Sequence, residues 1–217
     1  MNIMKHNITF TRRTFIKGSA LVTTGIATGS LAYSSPITPT ANSDSIYLVG
    51  PQEGYSPRIG TLLSTMTMMR TWVVREVQNL TKEQLDFQID EQSNSIGAML
   101  LHLAATERYY QLNTFDEMPW GSWDDGIKKE WDVAMSLGDT GRSIIKGYEI
   151  DFYLNKLEEV RSITKEEFAK RDDDWLDKSE RFFDNLPTNN HGKWFHVCEH
   201  ESNHNGQIKF IKKRFES

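Results

Sequence analysis

Apolar residues recur at three- and four-residue steps over long stretches of this chain, and no stretch alternates apolar and polar as a half-buried strand must. That pattern confines the fold to helices packed on helices, because a helix hides one apolar stripe only against another element. Ser56-Pro57 reads as a helix opening, a capping residue followed by Pro at the first helical position. Beyond it Ile59, Leu62, Leu63, Met66, Met69, Val73, Val77 and Leu80 form the stripe of a first helix. Asn94-Ser95 opens a second, with Ile96, Leu100, Leu103, Tyr110 and Leu112 as its apolar positions. A third is expected from about Glu149 to Trp175, through Phe152, Tyr153, Leu157, Val160 and Phe168. The fourth runs from about His191 to Phe215 through Trp194, Val197, Cys198, Ile208 and Ile211, and Lys209, Lys212, Lys213 and Arg214 complement its dipole. The expected fold is all-α, an antiparallel-type four-helix bundle over residues 56–217.

Some clusters inside this frame read as ordinary structure. Three methionines within Met66–Met69 are at core spacing and fill space. Asp172-Asp173-Asp174 reads as a solvated surface. Between the second and third helices, residues 116–146 carry Trp120, Trp123, Trp131, Pro119 and several glycines with no clean period. Lys128–Leu137 suits one short helix, and the rest of this insert is expected to be irregular, a functional cover or a variable insertion. Trp120 and Trp123 line a substrate mouth or pack the insert.

Composition narrows the class. The 217 residues, 38% of them hydrophobic, carry a net charge of only −5, which suits one domain with a real core and excludes a disordered chain. No basic block marks a nucleic-acid footprint. The single cysteine, Cys198, excludes an internal disulfide, a cysteine zinc cage and a CxxC redox motif.

Residues 1–17 hold Lys5, Arg12, Arg13 and Lys17 and no acid, and a weakly apolar, small-residue run follows over Gly18–Ala32. Fifteen residues are too few to span a bilayer, which takes about 20. The order reads as a signal peptide over 1–32, with Ser30 and Ala32 suited to cleavage. Thr11-Arg12-Arg13-Thr14-Phe15-Ile16-Lys17 resembles the twin-arginine export signal, which implies the twin-arginine export machinery as a partner. The expected location is periplasmic or extracytoplasmic, with a membrane tether if the signal stays attached. Residues 33–55, with Pro36, Pro39 and Pro51 among Ser, Thr and Asn, read as a linker.

The fourth helix contains His196-x3-His200-x3-His204. Residues four apart share a helix face about one turn apart, so two such imidazoles can hold one ion; residues eight apart are about 12 Å apart and cannot. A single ion therefore takes either the 196/200 pair or the 200/204 pair, and an aqueous catalytic site needs a third protein ligand. His200-Glu201-Ser202-Asn203-His204 also matches the HExxH string of zinc proteases. The extended protease pattern requires glycine at position 207 and histidine at position 210, where Gln207 and Phe210 stand, and few residues follow for a downstream carboxylate. The third ligand is expected upstream, and His102 on the second helix is the best candidate.

The segment SIGAMLLHLAATERYY and, about 100 residues on, HVCEHESNHNGQIKFIKKRF resemble the DinB-like (YfiT-like) four-helix-bundle metalloenzymes, as does LTKEQLDFQID before the second helix. The resemblance spans about 56–217. It implies that one divalent ion, Zn, Ni, Fe or Mn, is held by His102, His200 and His204. The family often has His-Arg before Gly-Gln where this chain has His204-Asn205-Gly206-Gln207. His196 is then a supporting or simply hydrated residue, and Cys198 belongs to the core. Glu201 is the candidate catalytic base, its alternatives being to orient a ligand or to pair with a buried cation.

Three neutral imidazoles leave a coordination position open, which suits a hydrolase that activates water or a transferase that activates a thiol, acting on a small molecule. The other reading is a non-catalytic exported module that binds a metal or ligand. A homodimer is compatible with either.

Overall fold

The computed structural model describes residues 45–215. The expected signal segment 1–32 and the first part of the linker lie outside the described residues. Residues 45–55 form neither helix nor strand, and the Gly50 N–H donates to Ser64 Oγ at 3.1 Å.

Four long helices carry the core: α1 Pro57–Val77, then, after the single-turn-scale α2 Lys82–Asp86, α3 Ile96–Thr114; later come α6 Ile150–Ala169 and α8 Asn190–Phe215. The stripe expected on α1 is buried from Ile59 to Val77, and Met66 is completely enclosed. Ser95 caps α3 by accepting from the Ala98 N–H at 3.2 Å. No helix among the described residues is long and apolar enough to cross a membrane.

The expected third helix is shorter than its periodicity suggests. It ends at Ala169, and Asp172 accepts from the Trp175 N–H at 3.1 Å to start a separate turn, α7 Asp173–Asp177. The aspartate run is also more than a solvated surface. Asp173 Oδ1 accepts from Ser56 Oγ at 2.6 Å, Arg58 N–H at 2.9 Å and Ile59 N–H at 3.3 Å, capping α1 across 115 residues of sequence. A hairpin of two three-residue strands, β1 Ser179–Arg181 and β2 Pro187–Asn189, joins α7 to α8 around a 3-10 turn at Phe183–Asn185, so the structure contains a small strand pair where none was expected.

The insert is more helical than expected: the short helix expected at Lys128–Leu137 is present and longer, a second follows it, and the irregular part is chiefly residues 116–124. It forms α4 Asp125–Ser136 and α5 Gly138–Ile144, and Asp124 caps α4 by accepting from the Ile127 N–H at 2.9 Å. Helix directions explain why this stretch is long. Trp194 Nε1 donates to Thr114 Oγ1 while His200 lies beside His102, so α3 and α8 run antiparallel. Arg70 meets Glu201 and Glu76 meets Lys212, so α1 and α8 run parallel. Gly97 meets Tyr153 and Gln111 meets Thr164, so α3 and α6 also run parallel. The bundle is therefore up-down-down-up, departing from the antiparallel alternation expected, and parallel neighbours require the chain to return the length of the bundle between them. α4 makes that return: Tyr109 of α3 bonds Asp132, and His102, two turns earlier on α3, bonds Ala134, two residues later on α4.

Gly97 lets α3 and α6 approach. A Cβ there would lie 2.6 Å from Tyr153 Oη, so any side chain would push the buried tyrosine out. The apolar core forms two clusters, one including Val73, Leu100, Leu157 and Ile208, the other Ile59, Met66, Phe168 and Trp194.

Candidate metal centre

His102 projects from α3 and His200 and His204 from successive turns of α8, and the three rings meet. His200 Nε2 is 2.8 Å from His102 Nε2 and 3.2 Å from His204 Nε2, and one ligand atom from each residue falls within 4.8 Å of the others. Of the two pairs left open by spacing, 200/204 is the one that His102 joins. His102 and His204 are each 8% exposed, and His200 is half-buried.

Two of the three rings are oriented by their far nitrogens. His102 Nδ1 lies 2.9 Å from the Ala134 carbonyl, which can only accept, so Nδ1 carries the proton and Nε2 presents a lone pair. His204 Nδ1 lies 3.1 Å from Gln207 Oε1, and Gln207 Nε2 donates to Asn203 Oδ1 at 3.1 Å, which fixes the amide with its oxygen toward the ring. Converging lone pairs repel one another and suit a cation; anchoring of the outer nitrogen is the usual support of a metal-ligating imidazole. Burial lowers the pKa of His102 against the opposing pull of Ala134 and Met135. His200 is pushed down to about 3 by burial and by His204, His102 and His196, and His204 to about 4 by burial and by His102, against the hydrogen bond that its ring donates to Gln207. All three are neutral at pH 7, the form that binds metal. The donor set fits a divalent ion with imidazole preference.

Glu201, one residue from His200, faces elsewhere. It is 1% exposed, and its Oε1 accepts from Arg70 Nε at 2.8 Å and Arg161 Nη2 at 2.9 Å, with a further contact to Arg70 Nη2. Glu107 completes the cluster, accepting from Arg161 Nε at 2.8 Å, Arg70 Nη2 at 2.8 Å and Thr164 Oγ1 at 2.7 Å. Of the roles open to Glu201 in the sequence, the buried cation partner is the one these contacts make; no hydrogen bond from it to the three imidazoles is present among the described residues. One member of this quartet comes from each long helix: Arg70 from α1, Glu107 from α3, Arg161 from α6, Glu201 from α8. Burial opposes ionisation of Glu107, but Arg161 and Arg70 overcome it and hold the carboxyl well below its ordinary 4.5. Arg70, Glu107 and Arg161 escaped the sequence reading, although each sits among apolar positions of a helix stripe, the one signal available.

The remaining candidates separate clearly. His196 lies one turn before His200, its ring centroid 5.3 Å away, with Nδ1 3.4 Å from Glu199 Oε2. Cys198 is buried, and burial with Glu201 nearby pushes its thiol up to about 11, so it is a core residue. Trp123 is buried at 3% exposure, while Trp120 stays 42% exposed, so the two tryptophans do different things.

The sequence profile of the DinB superfamily matches residues 66–208, a span that includes all three histidines and 143 of the 217 residues. The chain belongs to the DinB superfamily. No curated protein matches it. Within this DinB superfamily chain, the resemblance carried by residues 95–110 and 196–215 and the helical fold thus agree, and the triad is the one group of three metal-ligating side chains found together among the described residues.

Proposed function

We propose that the protein holds one divalent ion through His102, His200 and His204 and works as a metal-dependent enzyme of hydrolase or transferase type on a small molecule. One observation carries this: three neutral imidazoles converge, two of them with their outer nitrogens anchored, and among the described residues no anion completes the set. Bound there, a divalent ion supplies an uncompensated positive charge that polarises a carbonyl or acidifies a water or thiol. The chain's own contribution is orientation. The Ala134 carbonyl and Gln207 hold two rings, and Glu201 holds α8 in register through Arg70 and Arg161.

That engagement of Glu201 favours a second reading, a non-catalytic metal- or ligand-binding module, because it occupies the carboxylate nearest in sequence to a ligand. Protein purified without a histidine tag and analysed by mass spectrometry should carry one ion per chain. His102→Ala, His200→Ala and His204→Ala should each lose it, and full stoichiometry in all three variants refutes the site. A solvent-exchangeable position on the ion distinguishes the enzyme from a closed binding module. Export is proposed on Thr11–Lys17 and the weakly apolar run that follows it. Residues 1–40 fused to a reporter that folds before transport should be secreted, and unchanged secretion after Arg12-Arg13 becomes Lys-Lys refutes the route.

A further inference from the structure

We propose that the array of aromatic rings beside the triad is a substrate subsite for a flat, uncharged aromatic ring whose attached anionic group faces the ion. This rests on the metal reading above and names the substrate class of that same site.

The array begins at a metal-ligand candidate. From His200 the next ring is His196 at 5.3 Å, and His196 is 5.8 Å from Tyr110 and 5.2 Å from Phe183. Trp120 continues it, 5.2 Å from Tyr110 and 5.1 Å from Phe182, with Trp123 behind at 5.5 Å. These rings come from three separate stretches: α3 and its exit, the hairpin, and α8. Single exposed apolar residues are common and mean little. Here Trp120 at 42% and Phe183 at 37% exposure belong to one ring array contiguous with a polar site, which is the make-up of a small-molecule pocket wall. Trp120 is also held in place by four ring neighbours, so its open face is preformed and little ordering is needed when a ligand lands on it.

Charge selects the occupant. Lys193, itself buried, sets its Nζ 4.6 Å from the centroid of the Phe182 ring, so a cation already occupies that aromatic face. A divalent ion at the triad adds positive charge at the other end of the array. Of the acids close to these rings, Glu180 is paired with Lys193 and Asp132 bonds Tyr109, while Glu199 beside His196 and Asp184 next to Phe183 lie at the exposed rim. With Lys193 on the Phe182 face and a divalent ion at the triad, a neutral ring joined to an anionic head suits both ends. Edge-to-face and offset contacts favour a flat ring over a saturated one of similar size.

Zinc-loaded full-length protein is titrated by calorimetry with acetate, 3-phenylpropanoate, 3-cyclohexylpropanoate and tetramethylammonium, after ion stoichiometry is measured. The phenyl acid should bind roughly ten-fold more tightly than acetate, the scale of one good ring contact with its buried area. Trp120→Ala and Phe183→Ala should each remove most of that advantage while ion content and acetate affinity stay unchanged, and Trp120→Phe should keep most of it. A phenyl acid no better than acetate, an equal gain from the cyclohexyl acid, or tighter binding of the ammonium overturns the aromatic subsite and leaves the metal site standing. A wild-type protein that takes up no zinc overturns both.

Discussion

His200 and Glu201 are neighbours on α8, yet they belong to two polar regions of opposite character. Glu201 enters a quartet of two arginines and two carboxylates in which charges cancel and one member comes from each helix of the bundle. His200 enters a trio of neutral rings with no countercharge of its own and a half-open edge. A turn of 100° between successive residues is enough to send one into a charge-balanced network and the other into a group of neutral rings. Charge balance is what separates a polar cluster that holds the fold together from one that waits for a ligand. On α1, α6 and α8 the charged residue also lies between residues of one apolar cluster and residues of the other, so the quartet occupies the seam of the core.

The largest effect should come from breaking the charge-balanced cluster. Glu107→Gln leaves Arg70 and Arg161 buried with one carboxylate between them, and loss of one partner from a buried pair costs about 3–5 kcal/mol. Urea unfolding of the ion-free protein should register that loss, with the triad intact. If Glu107→Gln unfolds at the wild-type urea concentration but loses its ion, the roles assigned to the two regions are reversed.

The order of these assignments follows what a linear sequence can express. The long stripes were legible because each repeats over more than four turns, as from Ile59 to Val77, and the triad because His200 and His204 share a helix face while His102 stands out of an apolar run. The quartet was not, since one charged residue such as Arg70 beside Met69 reads as solvent-facing until its partners arrive from three other helices. Asp173 capping α1 is invisible for the same reason, its partners lying 114 to 117 residues away. α4 was only partly legible, because its buried positions are few, Trp131 and Ala134, within a charged segment. The helix directions, and hence the need for a return helix between α3 and α6, are set by contacts and not by any local pattern.

Acid should separate the two regions by pH. The three imidazoles and Glu107 have depressed folded-state pKa values, so each stabilises the fold at high pH and stops doing so as the unfolded chain takes up protons first. For the imidazoles the loss begins as pH falls below their ordinary 6.5 and continues toward about 3, the value of His200. For Glu107 it begins only below 4.5. Thermal melts of the ion-free protein should therefore show decline in two stages, and His200→Ala should flatten the upper stage while leaving the lower one. A single stage below pH 4.5 in the wild type contradicts the buried, neutral triad.

Smaller effects should follow from the groups that orient the rings. Gln207→Ala frees the His204 ring without removing a ligand, and loss of such a supporting partner weakens metal binding by about 10- to 100-fold. Competition with a chelator measures this. The fold should be unaffected, since Gln207 is exposed and outside both apolar clusters.

The smallest effect on the ion should come from His196→Ala, and it is the sharpest check on which pair of histidines on α8 binds metal. His196 lies on the same face as His200 one turn away, so by spacing it competes with His204 as the partner of His200. What separates the two is company: His204 faces His102, with ring centroids 5.2 Å apart, and is anchored through Gln207, whereas His196 packs on Tyr110 and Phe183 and its Nδ1 is directed at Glu199. A residue with its rings among aromatics and one nitrogen near a surface carboxylate contributes to the wall and not to the ion. His196→Ala should therefore change metal affinity by no more than about two-fold, the ordinary scatter for a residue with no direct bond. In the same titrations it should weaken 3-phenylpropanoate more than acetate. A variant that instead loses its ion would move the centre toward the 196/200 pair and leave His204 without a role.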